Sequence, residues 1–323
     1  MILTGAEEMM QKIRIGVSAC LLGTRVRYDG GQKRDHYITD TLGRYFEFVP
    51  VCPEVECGLP VPREPMHLVG VPEDPRLITI HTGIDHTEKM KKWAIDRLTQ
   101  LSERGLDGFI FKSRSPSSGM QGVEVSDEKG VKTRRGSGIF ARAFMDRFPL
   151  VPVIDDVMLN DPALRENYLE RVFVIKRWVH LMRTEVNAKD LIEFHAAHKL
   201  LLLAHSPRHL TLLGRYVAGP NIDARGLSDL YVRTMMEGLK RIATTKKQTN
   251  VLLHVLGYFK KELTGDEKRE LLEIIDNYHM GIIPLIVPIT TLNHYVRKYH
   301  KEYLQRQVYL NPHPLELMAR NHV

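Results

Sequence analysis

The sequence predicts two domains of different fold class: an α/β domain with an open, mostly parallel sheet, followed by an all-α domain. Over residues 13–154, short apolar runs alternate with segments of helical periodicity, which is typical of parallel strands joined by crossover helices. Beyond residue 162 the helical period continues almost without interruption. Asp155–Pro162 lies between the two patterns and favours a linker. We therefore place the domains at residues 1–155 and 160–323.

The composition is that of an ordered, soluble protein. Of the 323 residues, 43% are hydrophobic and 26% are charged, which provides apolar surface for two cores and excludes general disorder. No apolar run approaches the roughly 20 residues of a membrane span. The first 13 residues lack the apolar core of a signal peptide, and three cysteines do not make a disulfide framework. We expect a cytoplasmic protein with no membrane partner.

The net charge of +7 lies entirely in the second half. Residues 1–159 carry 22 basic and 22 acidic side chains, whereas residues 160–323 carry 24 basic and 17 acidic ones. A basic excess confined to one domain is compatible both with an anionic partner, such as nucleic acid, and with ordinary variation in composition.

Each predicted element rests on a local pattern. In the first half, strands are predicted at Ile13–Val17, Phe46–Val51, Gly108–Lys112 and Leu150–Ile154, and helices at His86–Arg104 and Gly138–Arg147. In the second half, helices are predicted at Pro162–Arg183, Ala188–His205, Pro207–Val217, Leu227–Thr244, Gln248–Leu263, Asp266–His279 and Pro288–Tyr299. Asn187 has a residue type that caps helix N-termini and precedes the second of these helices, and either Thr264 or Gly265 is expected to open the sixth.

Reactive side chains follow three of the predicted strands. Cys20 comes after the first strand, Cys52 and Glu54 after the second, and Ser115 and Ser118 after the third. The carboxyl ends of parallel strands meet at one edge of a sheet, so these residues converge there and form a candidate site. A single cysteine is more often a small buried apolar residue. The coincidence of two thiols and a carboxylate makes the functional interpretation the stronger one.

Two further patterns are weaker. Cys52 and Cys57 are separated by four residues without a second matching pair, so the spacing alone does not indicate zinc. Gly136-Ser137-Gly138 opens a predicted helix, where free N–H groups would suit a phosphate.

Ordered motifs in the first half resemble the thiouracil desulfidase (TudS) family. They are Val17-Ser18-Ala19-Cys20-Leu21-Leu22-Gly23, Val26-Arg27-Tyr28-Asp29-Gly30-Gly31, Val51-Cys52-Pro53-Glu54, Gly58-Leu59 with Pro62-Arg63, and Ser115-Pro116-Ser117-Ser118-Gly119. The resemblance implies a 4Fe–4S cluster that is held by three protein thiolates, with one iron not ligated by protein. It implies that Cys20 and Cys52 are cluster ligands, that Glu54 is the general base or proton shuttle, and that Ser115 positions water or relays a proton.

The sequence departs from this family at the third ligand. Ser118 stands where the family motif has cysteine. Serine is a harder and less acidic donor than a thiolate, so a serine ligand is expected to weaken retention of the cluster. Three alternatives stay open at this point: Ser118 ligates weakly through oxygen, the site is damaged and the cluster is lost, or Cys57, in a segment interpreted as a loop, reaches the cluster.

The second half resembles a helical domain that is fused to this family in desulfidases acting on 4-thiouridine in tRNA. The resemblance lies in Phe194-His195, His198-Lys199-Leu200, His205-Ser206-Pro207, Thr249-Asn250-Val251 and Asn311-Pro312-His313-Pro314. Residues at helical spacing around Gln248–Leu263 combine cations, an amide and an aromatic ring, which suits contact with a phosphate backbone. The candidate RNA or substrate contacts are Arg27, Tyr28, Lys246, Lys247, Asn250, His254 and Lys261.

The sequence therefore predicts an iron–sulfur desulfidase that converts 4-thiouridine to uridine in tRNA. Two other functions fit the same residues. One is desulfurisation of a free thiobase or thionucleoside, which does not need a basic domain. The other is binding of modified RNA without turnover, because Ser118 replaces a thiolate.

Overall fold

The structure, a computed structural model, describes residues 13–127, 129–183, 185–219, 224–317 and 319–322. It divides the chain into two units, Met1–Asn160 and Asp161–Val323. The described strands lie in the first unit and are β1 (Ile13–Ser18), β2 (Phe46–Val51), β3 (Met66–Val69), β4 (Arg76–Thr79), β5 (Gly108–Phe111), β6 (Val123–Ser126), β7 (Lys132–Gly136) and β8 (Val153–Asp155). Its described α-helices are α1 (Pro53–Glu56), α2 (Thr87–Arg104) and α3 (Ile139–Arg147).

Four of these strands form the parallel sheet that the sequence predicts, in the order β2-β1-β5-β8. Ser18 is in register with Val51, and Phe111 with Asp155, so neighbouring strands end at one level. β5 ends one residue earlier than predicted, because the backbone N–H of Lys112 donates to Ser18 Oγ at 2.8 Å and leaves the ladder. The α/β prediction for this unit is confirmed.

Aromatic rings pack one face of this sheet. Phe109 and Phe111 lie two residues apart on β5, so their rings share a face and stack at 4.1 Å. They contact Phe140 and Phe144 of α3, with Phe109 and Phe144 centroids 4.7 Å apart. Full burial of each ring stabilises the fold by about 1.5–3 kcal/mol. The packing holds the strand ends rigidly, and those ends carry the candidate site.

The second sheet of this unit was not predicted. β3 and β4 are antiparallel, β3 and β6 parallel, and β6 and β7 antiparallel, giving the order β4-β3-β6-β7. β3, β4 and β6 have four residues each and β7 has five. The first four residues of β7, Lys132–Arg135, are exposed, so this strand lacks apolar alternation.

The second unit is helical in its described part, as predicted. Its helices are α4 (Pro162–Leu181), α5 (Ala188–His205), α6 (Pro207–Tyr216), α7 (Ala224–Leu239), α8 (Thr245–Leu256), α9 (Gly265–His279), α10 (Ile286–Lys298) and α11 (Glu302–Gln305). Asn187 and Thr264 form capping boxes with Asp190 and Glu267, which confirms both predicted caps. α7 ends five residues before the predicted end at Thr244, because that side chain caps α8 instead. No helix among the described residues has the length and apolar character to cross a membrane.

A buried ionic network holds the second unit together. Arg320 donates through Nε to Glu166 and through Nη2 to Glu170, the latter at 2.8 Å. His313 Nε2 lies 2.8 Å from Glu166, and His205 Nε2 lies 2.9 Å from Glu170. These five side chains are 2–4% exposed. Burial alone would raise the pKa of Glu166, but His313 and Arg320 outweigh it and hold that pKa well below its usual range.

Replacing Arg320 by methionine is expected to destabilise the second unit by about 3–5 kcal/mol, because it leaves two buried carboxylates without their cation. Urea denaturation followed by circular dichroism measures this loss. Arg269→Met is the matched control, since that side chain is 77% exposed and pairs with exposed Asp266. Equal loss of stability in both variants would show that the network does not stabilise the fold.

Candidate active site

The carboxyl edge of the parallel sheet borders a cavity of about 550 Å³, a volume typical of small-ligand sites. Every lining residue belongs to the first unit. The lining contains seven of the residues singled out from the sequence: Cys20, Arg27, Tyr28, Cys52, Glu54, Ser115 and Ser118. Three neighbouring strands thus bring together side chains that lie up to 98 positions apart in the sequence.

Cys20 lies in the turn that follows β1, a strand flanked by β2 and β5. A 3₁₀ turn, Ala19–Leu22, follows the strand and ends at Gly23, whose φ of 92° is a left-handed conformation that favours glycine. Burial raises the pKa of the Cys20 thiol to about 11, opposed by Lys112 and reinforced by Glu54. The thiol is therefore neutral at physiological pH unless a metal cation binds it.

Cys52 precedes the short helix α1 and has the same electrostatic character. Its backbone N–H donates to Glu56 Oε1 at 2.8 Å, and its thiol lies 3.6 Å from Glu54 Oε2. Burial raises the pKa of this thiol to about 12, and the negative charge of Glu54 adds to the rise. A bound metal ion reverses such shifts, because it stabilises the thiolate directly.

Glu54 is fixed at both carboxylate oxygens. Ser117 Oγ donates to Oε1 at 2.6 Å, and Arg63 Nη2 lies 3.8 Å from Oε2. Arg63 is itself held by a 2.9 Å bond to the carbonyl of Val26. This buried carboxylate is thus oriented by a hydroxyl on one side and a cation on the other, an arrangement that suits a general base. Sequence analysis assigned neither Ser117 nor Arg63 to the site, although both lie in the quoted motifs.

The turn Ser115–Gly119 supplies the hydroxyl groups. Ser115 and Ser118 line the cavity, whereas Ser117 is not part of the lining and is fully buried. The carbonyl of Ser117 accepts the N–H groups of Phe140 and Ala141 at 2.9 and 3.1 Å. The first turn of α3 therefore anchors this loop, and the suggested phosphate site at Gly136-Ser137-Gly138 is a wrong expectation. Gly138 is needed there, because a Cβ would lie 2.4 Å from the Ser117 carbonyl carbon.

Cys57 does not join the cavity cysteines. It follows α1 directly, its thiol donates to the backbone carbonyl of Glu54 at 3.2 Å, and it does not line the cavity. Apolar side chains surround it, including Leu59, Leu68 and Met90. Cys57 thus lies in a turn, as the loop interpretation expects, but its thiol is bonded to a backbone carbonyl outside the cavity lining. This geometry favours Ser118 over Cys57 as the third candidate donor.

Within the described residues, no group of three or more His, Cys, Asp or Glu side chains is arranged to hold a metal ion. The candidate donor set at the cavity is two thiols and a hydroxyl. The serine at position 118 is thus the chemical difference between this cavity and a three-thiolate site.

The candidate RNA-binding residues of the second unit differ in their exposure to solvent. Lys246, Asn250, His254 and Lys261 are exposed. Lys247 is partly buried, and its Nζ donates to the carbonyl of His205 at 2.8 Å. It therefore supplies a hydrogen bond to the last carbonyl of α5. Sequence analysis missed Tyr303, whose ring stacks on that of Tyr258 at 5.3 Å, with 38% and 39% of the residues exposed.

The family comparison covers all residues of the cavity lining except Val157. Residues 15–156 match the family model described as 2-thiouracil desulfurase. The chain belongs to the 2-thiouracil desulfurase family. Membership in the 2-thiouracil desulfurase family supports a desulfidase activity for this chain. Residues 199–314 match a second model, described as a protein of unknown function, DUF1722.

Three individual proteins are similar to parts of this chain. YbbK of Bacillus subtilis strain 168, an uncharacterized protein, is 31% identical over 130 residues, which are 39% of this chain and 85% of the relative. YbgA of Escherichia coli strain K12, also uncharacterized, is 29% identical over 167 residues, which are 50% of this chain and 98% of the relative. The solved structure of the [4Fe-4S]-dependent thiouracil desulfidase TudS is 32% identical and covers 48% of this chain and 97% of its own, with a TM-score of 0.39. Family membership rests on the sequence similarity.

Proposed function

We propose that this protein is an iron–sulfur-dependent desulfidase that replaces the sulfur of a thiolated uracil ring by oxygen. The observation that carries the proposal is the convergence of Cys20, Cys52 and Glu54 on one cavity at the ends of neighbouring parallel strands. Family membership and the printed name of TudS support the same activity and the same cofactor.

The donor set of the cavity fits a cluster with a weak third ligand. Cys20 and Cys52 would hold it as thiolates, and Ser118 would hold it through oxygen, which leaves one iron without a protein donor. When bound, such a cluster supplies a Lewis-acidic iron with high affinity for sulfur, able to polarise a C=S bond. Both thiols lose their protons on binding, so cluster assembly is expected to release protons.

The protein's own residues would handle the water that replaces sulfur. Glu54 accepts a proton from this water, because its carboxylate is buried at the cavity and already oriented by Ser117 and Arg63. Ser115 lines the same cavity and lies 3.1 Å from Ser117, and in this proposal its hydroxyl positions the water or relays its proton. Arg27 and Tyr28 at the cavity lining would contact the ribose or phosphate of the substrate.

The substrate in this proposal is 4-thiouridine within tRNA, bound through the basic second unit. The exposed cations Lys246 and Lys261 would contact backbone phosphates. Tyr258 and Tyr303 form an exposed stacked pair, and the His254 ring stands edge-on to Tyr258 at 5.7 Å. Aromatic platforms of this kind bind unstacked bases of single-stranded RNA regions.

Replacing both tyrosines by alanine is expected to raise the Kd for thiolated tRNA by about 5- to 150-fold, because each stacked base is worth about 1–3 kcal/mol. The slope of log Kd against log salt stays unchanged in this variant. In Lys261→Ala this slope is expected to change: its magnitude falls by about 1, because one phosphate contact is lost. Filter binding at several salt concentrations measures both quantities.

Met280→Ala provides the control for this binding experiment, since Met280 is 63% exposed and lies outside the tyrosine pair. The RNA-binding assignment of this face fails if the tyrosine variant binds tRNA as tightly as the control does.

A free thiobase is the second candidate substrate. All residues that line the cavity belong to the first unit, so the site is formed without the basic helices. Sulfide release from thiolated tRNA and from free thiouracil, compared with the same anaerobically reconstituted protein, separates the two substrates. Faster turnover of the free base would overturn the tRNA proposal.

The third candidate is a non-catalytic binder of modified RNA, favoured by Ser118 at a ligand position. Iron and sulfide contents after anaerobic reconstitution decide this point. Protein that binds thiolated tRNA but retains no iron and releases no sulfide would establish this function in place of the desulfidase.

A further inference from the structure

Three side chains form a hydrogen-bonded chain from the cavity to Glu54. Ser115 Oγ lies 3.1 Å from Ser117 Oγ, and Ser117 Oγ lies 2.6 Å from Glu54 Oε1. Ser115 lines the cavity, whereas Ser117 is 0% exposed and is not part of the lining. A fully buried hydroxyl thus connects a cavity hydroxyl to a buried carboxylate.

The direction of these bonds follows from the number of protons. A serine hydroxyl has one proton, and a carboxylate only accepts. Ser117 therefore uses its proton in the bond to Glu54, so Ser115 must donate to Ser117. Ser118 Oγ, 3.3 Å from Ser117 Oγ, must also donate if it bonds there. All protons in this chain point toward Glu54.

The backbone prepares Ser115 to lose its proton. The N–H groups of Ser117 and Ser118 point at Ser115 Oγ, with N···O distances of 3.4 and 3.2 Å. Negative charge that develops on this oxygen is stabilised by both donors, as in an oxyanion site. The bonds are long in the resting geometry, which is common for catalytic hydrogen bonds before substrate binds.

We propose that Ser117 relays a proton from Ser115 to Glu54 during the attack of water, an inference that rests on the desulfidase function proposed above. Water gives a proton to Ser115 Oγ, Ser115 gives its proton to Ser117 Oγ, and Ser117 gives its proton to Glu54 Oε1, so three O–H bonds break and three form. The remaining hydroxide oxygen bonds to the thiocarbonyl carbon while the π pair of C=S moves onto sulfur. The carbonyl then forms as this oxygen loses its second proton and the C–S single bond breaks with its electron pair leaving on sulfur, which takes up that proton and the proton held on Glu54. Overall, C=S and water give C=O and H₂S, without an oxidant or reductant.

Ser117 in this role is a positioning and relay residue, since it does not touch the substrate. Its neighbours explain why the position is rigid: the N–H groups of Phe140 and Ala141 hold its carbonyl, and Gly138 packs against its backbone. Ser137 offers a matched control, because its hydroxyl donates to the carbonyl of Met120 at 2.9 Å and lies outside the relay.

The test measures sulfide release in H₂O–D₂O mixtures by the anaerobically reconstituted full chain. The wild type is expected to give a curved proton inventory, because several protons move in one step. Ser117→Ala is expected to lower kcat by about 10- to 100-fold, less than the loss of a whole general base because Glu54 remains, and to give a linear inventory. Its iron content stays equal to that of the wild type. Ser137→Ala retains the wild-type rate and curvature.

Several outcomes would overturn the relay. They are a linear proton inventory in the wild type, or a Ser117→Ala variant with wild-type iron content, rate and curvature. If Ser117→Ala does not fold, Ser117→Thr decides, because it keeps the hydroxyl: a curved inventory supports the relay, and a linear one rejects it. Iron-loaded wild type that releases no sulfide from any thiolated substrate rejects the desulfidase proposal itself, a result distinct from an active enzyme with a linear inventory.

Discussion

Replacing Ser118 by cysteine is expected to increase both the iron retained per chain and the rate of sulfide release. The third position would then offer a thiolate beside Cys20 and Cys52, and iron–sulfur clusters prefer such soft donors. Even groups outside the ligand shell change metal affinity by roughly 10- to 100-fold, so a change of ligand should raise retention by at least about tenfold. Iron retention is measured by iron and sulfide analysis after gel filtration, together with the absorbance of the cluster.

Cys57→Ser is the matched control for this experiment. Its thiol contacts the carbonyl of Glu54 and apolar side chains outside the cavity lining, so its loss should leave iron retention unchanged. If Cys57→Ser loses the iron and Ser118→Cys gains none, Cys57 is the third ligand and the donor set proposed for the cavity is wrong.

Replacing Glu54 by glutamine is expected to lower sulfide release by about 10²- to 10⁴-fold, the usual contribution of a general base. Glutamine keeps the shape of the side chain but cannot take up the proton from water. Iron content should stay the same, because the carboxylate is not among the proposed ligands. Single-turnover sulfide release at matched iron content measures the chemical step.

Glu124→Gln serves as the control, because this exposed residue of β6 pairs with Lys132 on the second sheet. If Glu54→Gln turns over as fast as this control, Glu54 is not the base. A loss of iron that parallels the loss of turnover would instead make Glu54 a determinant of cluster binding.

The elements with strong periodicity were predictable from the sequence, and the short polar ones were not. Ala188–His205 and Phe46–Val51 have the predicted bounds, because caps or turn residues flank both segments. Gln248–Leu263 was predicted as one helix, but it ends at Leu256 and continues as a 3₁₀ turn from Gly257. The second sheet was missed because strands of four or five residues, one of them largely exposed, carry no clear period.

The candidate site was predictable as far as strand ends determine it. Cys20, Cys52, Glu54, Ser115 and Ser118 meet at one cavity, because parallel strands place their carboxyl ends together. The orientation of neighbouring side chains is not encoded in that rule. Ser117 turns inward to Glu54 and Cys57 turns into an apolar cluster, and both orientations depend on residues distant in the sequence.

The buried position of Arg320 has a consequence for how the protein is synthesised. Its partners Glu166 and Glu170 precede it by 154 and 150 residues, so a ribosome exposes both carboxylates long before their cation emerges. The helical unit therefore cannot complete its core until Arg320 has left the exit tunnel, and contacts of such long range form slowly. Its nascent helices are expected to need protection from aggregation during translation, whereas the unit with the cavity can fold as soon as its own strands have left the exit tunnel.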